Sequence, residues 1–121
     1  MITLLSRLLH RPRVSEPAWI DTDELQRRLA VGDPLVLVDV RQPEEFTASP
    51  GHLPGAINVP MAELAKRTQE LVQRRQPVVV VCKTDRRSAR AAAELFAEGL
   101  RDVAVLRGGT DEWHRRGLTL E

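Results

Sequence analysis

The sequence predicts an α/β fold in which a mainly parallel five-stranded sheet carries helices on both faces. Short apolar runs rich in β-branched residues, at 35–40 and 78–81, alternate with segments of helical periodicity. Such runs are typical of strands buried on both faces, because neither face needs polar side chains. Strands that alternate with helices favour crossover connections, which lay the helices over a parallel sheet.

Length, charge and cysteine content narrow the class of protein. A chain of 121 residues suits one domain, and 18 basic against 17 acidic residues leave a formal net charge of +1. This balance does not favour a nucleic-acid partner. One cysteine excludes an internal disulfide, and the sequence has neither a Cys pair nor a His cluster for a zinc site. We therefore expect a protein of the reducing cytoplasm, without a metal.

Residues 1–17 are expected to form an amphipathic extension before a domain at residues 18–121. The apolar residues of the extension fall at helical spacing until prolines interrupt them. This stretch is too short to span a membrane, and its basic residues follow the apolar run, unlike those of a signal peptide. The segment either packs on the domain or on a partner copy, or is a frayed terminus or weak surface anchor.

The elements of the domain begin with a short strand at Trp19. Asp21 then caps a helix over residues 23–30, because a side-chain oxygen at this position can accept from the first free N–H groups. Residues 35–40 form a second, buried strand. Pro43 begins a short helical turn, where its missing N–H costs no hydrogen bond.

The middle of the domain leads to the central strand. Residues 49–55 hold two prolines and two glycines, so we expect a loop of fixed shape there. A short strand over 56–59 and a helix over 61–75 follow. Pro77 then opens a strand of four valines that ends at Cys82.

The last elements complete the alternation of strands and helices. An alanine-rich helix is predicted over residues 88–98 and a fifth strand over 103–106. Gly108-Gly109 forms a turn, and Thr110 is expected to cap a final short helix. That helix runs through Trp113, which we interpret as a core residue.

Cys82 lies between a buried strand and a helix N-terminus. The first turn of a helix presents free N–H groups and partial positive charge, which favour an anion such as a thiolate. Lys83, Arg86 and Arg87 add positive charge against the single carboxylate of Asp85. The alternative is an inert buried cysteine, but the strand, basic loop and helix together favour a nucleophile.

Two predicted parallel strands end at polar residues, Asp39 and Cys82, which places both at one edge of the sheet. Asp39 and Arg41 could be an acid and base pair, but we interpret them as a buried pair that supports the neighbouring loop. His52 could act as a general base, but its turn rich in Pro and Gly favours a hydrogen-bonded loop residue.

Four stretches in order make the sequence similar to the single-domain rhodaneses, a family of sulfurtransferases. Residues 82–88 resemble the family's active loop, Cys-Arg-Ser-Gly-x-Arg-Ser, which an alanine-rich helix follows. Residues 37–46 resemble its Asp-x-Arg segment, residues 51–56 its Gly-His-Ile-Pro-Gly-Ala motif, and Gly108-Gly109 with Trp113 its closing motif. The resemblance covers roughly residues 19–121.

The resemblance implies a rhodanese-like three-layer fold and a persulfide mechanism without metal or organic cofactor. The Cys82 thiolate would take a sulfane sulfur from a small anionic donor, thiosulfate or a persulfide. A thiol or cyanide would accept it, and a thioredoxin-like protein is a further acceptor to consider. The backbone N–H groups of the active loop would hold the persulfide. Those loop residues are Lys83, Thr84, Asp85, Arg86, Arg87 and Ser88.

Particular side chains of the loop also receive roles from the resemblance. Arg87 would bind the donor anion or brace the loop, and Lys83 and Arg86 would attract donors. Asp39 and Arg41 would support the loop. Asp85 departs from the family, which has glycine there. We expect a positive φ at Asp85, a carboxylate near the sulfur, and pairing with Arg86 or Arg87.

Two other functions are compatible with parts of the pattern. Phosphatases and arsenate reductases of this kind place five residues between their Cys and Arg, whereas four separate Cys82 from Arg87, and Ser88 holds the next position. The smaller loop suits a sulfur atom better than a phosphate. The second alternative is a non-enzymatic rhodanese-like module that carries sulfur or binds a partner.

Overall fold

The structure is a computed structural model that describes residues 15–121. The amphipathic pattern predicted near the N-terminus lies largely outside these residues, and the domain boundary at residue 18 stays a prediction. The strands of the sheet are β1 (Ala18–Ile20), β2 (Val36–Asp39), β3 (Ile57–Asn58), β4 (Val78–Val81) and β5 (Val103–Leu106). Their order in the sheet is β1-β5-β4-β2-β3, with every pair parallel.

Helices cover both faces of this sheet, as the sequence predicts. They are α1 (Thr22–Ala30), α2 (Pro43–Thr47), α3 (Leu64–Gln73), α4 (Arg86–Ala97) and α5 (Gly109–Arg115), and a 3₁₀ turn at Met61–Glu63 leads into α3. Among the described residues, no helix is long and apolar enough to cross a membrane.

The valines of β4 form the centre of two hydrophobic clusters. Val78 and Val80 face α3 and α4, while Val79 and Val81 face the side that holds Leu25 of α1 and Trp113 of α5. This alternation follows from the period of two along a strand. All four valines are buried, which confirms the prediction of a strand covered on both faces.

Two predicted helix starts are wrong by one or two residues. Helix α4 begins at Arg86 rather than Ser88, because arginine is a good helix former and Asp85 takes the position before the first turn. Thr110 lies inside α5 rather than capping it, and the residue before α5 is Gly108 with φ 81°. Trp113 is a core residue, as predicted, with 5% of its surface exposed.

Candidate active site

Cys82 follows β4 directly, and its side chain lies against the first turn of α4. The Ser88 backbone N–H donates to Cys82 Sγ at 3.3 Å. The thiol in turn donates to Ser88 Oγ at 3.2 Å, and that hydroxyl donates to the Asp85 carbonyl at 3.1 Å. Ser88 is the third residue of α4, so its N–H has no partner within the helix. A negatively charged sulfur would therefore meet the positive end of the helix.

The turn before α5 holds the active loop by its carbonyl groups. Thr110 donates its N–H to the Cys82 carbonyl at 2.9 Å, and Asp111 donates to the Lys83 carbonyl at 3.0 Å. A trans peptide directs its N–H opposite to its carbonyl. The N–H groups of Lys83 and Thr84 therefore point away from α5.

Gly109 allows this close approach. A Cβ on Gly109 would lie 2.6 Å from the carbonyl oxygens of Lys83 and Thr84, and closer still to that of Cys82. The residue also has a φ of 54°, which favours glycine. Sequence reasoning assigned Gly109 to a turn and missed this contact, although the paired glycines at a strand end were a visible signal.

Asp85 differs from its predicted geometry. Its φ is −127°, so the loop turns without a left-handed residue at this point. The carboxylate does not pair with Arg86 or Arg87 but accepts the Gly108 N–H at 2.7 Å. The expectations of a positive φ and of an ion pair with Arg86 or Arg87 are therefore wrong. The ion pair is replaced because the turn after β5 offers a free N–H within reach of the short aspartate side chain.

Arg87 is held by Glu45 of α2 in a bidentate ion pair. Its two terminal nitrogens donate to the Glu45 carboxylate at 2.6 and 3.0 Å. This hydrogen bonding lowers the pKa of Glu45 from 4.5 to about 2. The same pairing raises the pKa of Arg87, and the nearby carboxylate of Asp39 adds to this rise. Glu45 was not among the predicted site residues, although it follows the Asp39 strand end closely.

The remaining loop cations are exposed. Lys83 pairs with Asp111 of α5 at 2.9 Å, and 61% and 51% of the two side chains are exposed. Arg86 has no carboxylate within ion-pair distance among residues 15–121, and Thr84 lies at the surface.

Asp39 and Arg41 form a buried pair at the end of β2. The Arg41 guanidinium donates to both oxygens of Asp39, with the shortest distance 2.8 Å. It also donates to the Gly51 carbonyl at 3.0 Å. None of the hydrogen bonds of this pair reaches residues 83–88 directly. Its link to the loop is electrostatic, because Arg41 helps to lower the pKa of Glu45.

His52 is a hydrogen-bonded loop residue, as predicted. Its Nδ1 lies 2.9 Å from the Phe46 carbonyl oxygen, and its ring stacks on Phe46 with the centroids 3.6 Å apart. These contacts pack the 49–55 loop against α2. His52 therefore supports α2, the helix that carries Glu45.

A cavity of about 240 Å³ opens beside the active loop. Charged side chains of both signs line it, together with polar and small ones. The lining residues are Arg41, Glu45, Ala48, Ser49, Pro50, Lys83, Thr110, Asp111 and His114. A small polar or ionic molecule would fit a space of this size and composition.

Comparisons with a family model and with individual known proteins agree on one family. The model of a family described as a Rhodanese-like domain matches residues 21–116. A sulfurtransferase from Allochromatium vinosum is 38% identical over 101 residues, which cover 84% of this chain and 92% of the relative.

Two further similarities cover smaller parts of longer proteins. A putative sulfur carrier protein from Bacillus subtilis is 28% identical over 94 residues, which cover 78% of this chain and 49% of that protein. The crystal structure of a thiosulfate sulfurtransferase from Pseudomonas aeruginosa aligns with a TM-score of 0.77 and 34% identity. That alignment covers 87% of this chain and 20% of the other.

Proposed function

Because this chain belongs to the rhodanese-like domain family, we propose that it is a sulfurtransferase in which Cys82 carries the sulfur as a persulfide. The observation that carries the proposal is the position of Cys82 Sγ, 3.3 Å from the free N–H of Ser88 at the start of α4. An anion is stabilised there by the hydrogen bond and by the helix. The similar sulfurtransferase from Allochromatium vinosum supports the same chemistry.

In the first step, the Cys82 thiolate attacks the outer sulfur of a donor. A new S–S bond forms to Cys82 while the bond between that sulfur and its carrier breaks. The carrier leaves with the electron pair, as sulfite from thiosulfate or as a thiolate from a persulfide. Charge and atoms balance, because the thiolate becomes a singly charged persulfide.

The loop would then hold the terminal sulfur of the persulfide. The N–H groups of Lys83 and Thr84 point away from α5, and the N–H of Ser88 already lies at Sγ. Fixed N–H dipoles of this kind stabilise charge without reorganisation, as in an oxyanion hole. Arg87, which Glu45 holds in an ion pair, would brace the loop.

In the second step, an acceptor takes the terminal sulfur and restores the Cys82 thiolate. A thiol acceptor becomes a persulfide, and cyanide becomes thiocyanate. A thioredoxin-like protein would serve as a protein acceptor, since it presents a reactive thiol. We place this chemistry in a reducing cytoplasm, where a single cysteine stays available as a thiol.

A second candidate function is sulfur carriage without turnover. Two observations favour it: the similarity to a putative sulfur carrier protein, and a Cys82 side chain that is only 1% exposed. Such a module would receive a sulfur on Cys82 and release it to one docked partner. Loading chemistry is the same for both candidates, so only turnover separates them.

Intact mass spectrometry tests the proposal directly. After incubation with thiosulfate or glutathione persulfide, we expect a gain of one sulfur atom that disappears when a thiol is added. Steady-state production of thiocyanate or acceptor persulfide would identify an enzyme, whereas a single loading without turnover would identify a carrier. No gain of sulfur from either donor would contradict both.

A further inference from the structure

The cations around the active loop are compensated by carboxylates from other elements. Arg87 pairs with Glu45, Lys83 with Asp111, and Arg41 with Asp39. Each pair contributes one charge of each sign. The exposed Arg86 has no such partner among residues 15–121, because the neighbouring carboxylate of Asp85 accepts the Gly108 N–H instead.

Resting on the proposed function, we propose that Asp111 is a specificity-determining residue that makes this site select singly charged sulfur donors over dianionic thiosulfate. Lys83 follows the nucleophile directly in the chain and lines the 240 Å³ cavity, so a donor that enters through this cavity would meet its ammonium. Asp111 lies on the same cavity wall and holds the Lys83 ammonium at 2.9 Å. A donor therefore meets an ion pair rather than a free positive charge.

Asp111 contacts the active loop through both its backbone and its side chain. Its N–H donates to the Lys83 carbonyl at 3.0 Å, next to the bond from Thr110 to the Cys82 carbonyl. Its carboxylate accepts from the Lys83 ammonium at 2.9 Å. Both contacts place the negative charge at the wall of the cavity that Lys83 lines.

Electrostatics predicts how the donor's charge should matter. The repulsion between Asp111 and a donor is proportional to the donor's charge. Removing the carboxylate should therefore raise the rate with a dianion by the square of the factor found for a monoanion. Because half of the Asp111 side chain is exposed, solvent screens the effect, and we expect roughly tenfold for thiosulfate and about threefold for a monoanion.

Methanethiosulfonate is a suitable monoanion, because it presents the same sulfonyl-bound outer sulfur as thiosulfate. Cys82 would take that sulfur from either molecule, with the sulfur–sulfur bond breaking and its electron pair leaving on sulfite or on methanesulfinate. The two donors differ by one negative charge at the leaving group. The ratio of their rates therefore reports the charge of the site.

The test compares kcat/KM for both donors in the wild type and in Asp111→Asn. Asparagine keeps the shape and the backbone N–H of Asp111, and Asp102→Asn removes an exposed charge at the opposite edge of the sheet as a control. We expect Asp111→Asn to raise kcat/KM for thiosulfate about threefold more than for methanethiosulfonate. The difference should shrink in about 1 M salt, which a purely structural role would not produce.

Two outcomes would overturn the inference in different ways. If Asp111→Asn changed kcat/KM equally for both donors, or if the difference between the donors were the same in about 1 M salt, Asp111 would not act through its charge. The proposal that Cys82 is loaded with sulfur would be unaffected by that result. Failure of both donors to place sulfur on wild-type Cys82 would overturn the proposed function, and this inference with it.

Discussion

At the scale of single residues, three of the four charged side chains of the active loop are held by partners from other parts of the chain. Glu45 holds Arg87 with two bonds, Asp111 holds Lys83, and the Gly108 N–H holds Asp85. A side chain held in this way already has its orientation before a substrate binds. Less conformational entropy is therefore lost on binding.

Glu45→Gln should remove a contribution to stability that depends on pH. The pKa of Glu45 is about 2 in the folded protein, against an ordinary value of 4.5. Its contribution is therefore complete above pH 4.5 and is lost as the pH falls towards 2. About a third of each side chain is exposed, so we expect a loss of only about 1 kcal/mol at pH 7. Urea unfolding at pH 7 and pH 3 measures it.

The difference between the wild type and Glu45→Gln should be less than half as large at pH 3, because the unfolded carboxyl is protonated there. Glu44→Gln is the matched control, since Glu44 is an exposed acid of the same helix turn. A Glu45→Gln difference that is equal at both pH values would contradict the ion pair as its source.

Asp85→Ala should destabilise the protein, while Asp85→Asn should not. Alanine leaves the partly buried Gly108 N–H without its acceptor at 2.7 Å, which we expect to cost about 1 kcal/mol. Asparagine retains an oxygen for the same bond. Thermal unfolding of both variants measures the difference, and an equal loss in the two would mean that the negative charge matters rather than the hydrogen bond.

At the scale of elements, the turn between β5 and α5 shapes the active loop. Its glycine at position 109 lies against three loop carbonyls, and the next two residues donate N–H groups to two of them. The start of α5 thus binds the outer side of the loop, and the start of α4 faces the sulfur. Two helix starts therefore define the shape of residues 82–85, which have no regular structure of their own.

Gly109→Ala should disrupt this packing. The added Cβ would overlap the carbonyl oxygens of Cys82, Lys83 and Thr84, and the φ of 54° is unfavourable for alanine. We expect a loss of about 3 kcal/mol in the free energy of unfolding. Sulfur loading should also fall, because the loop must move away from α5. Urea unfolding and intact mass after donor incubation measure the two effects.

Gly117→Ala is the matched control for strain without crowding. Gly117 has a φ of 74°, but nothing lies within 4 Å of a Cβ added there. We expect a loss of about 1 kcal/mol and unchanged sulfur loading. If both glycine variants lost the same stability and kept the same loading, the contact between Gly109 and the loop would have no part in the chemistry.

At the scale of the whole molecule, the parallel sheet gathers distant segments at one edge. Asp39 and Cys82 stand at the ends of adjacent strands, β2 and β4, and Gly108 follows the end of β5 on the other side of β4. The carboxyl ends of parallel strands all lie on this edge. Residues 42, 28 and 23 positions apart therefore form the pairs that hold the loop.

This arrangement explains which features were predictable from the sequence. Local composition and periodicity determine the valine strand, the alanine-rich helix and the place of Cys82 between them. These features could therefore be predicted from the amino-acid sequence. The partners of Asp85 and Arg87 depend on which segments meet at the sheet edge. A short loop with charges of both signs allows several pairings, and only the fold selects among them.

The central claim is that Cys82 is the residue that receives the sulfur. Cys82→Ser keeps nearly the same shape, and its hydroxyl can accept the Ser88 N–H in place of the sulfur. We expect its melting temperature to stay close to that of the wild type. Its mass should be unchanged after incubation with thiosulfate or a persulfide, and its sulfur transfer should fall to background. A sulfur adduct on this variant, or transfer at the wild-type rate, would contradict the claim.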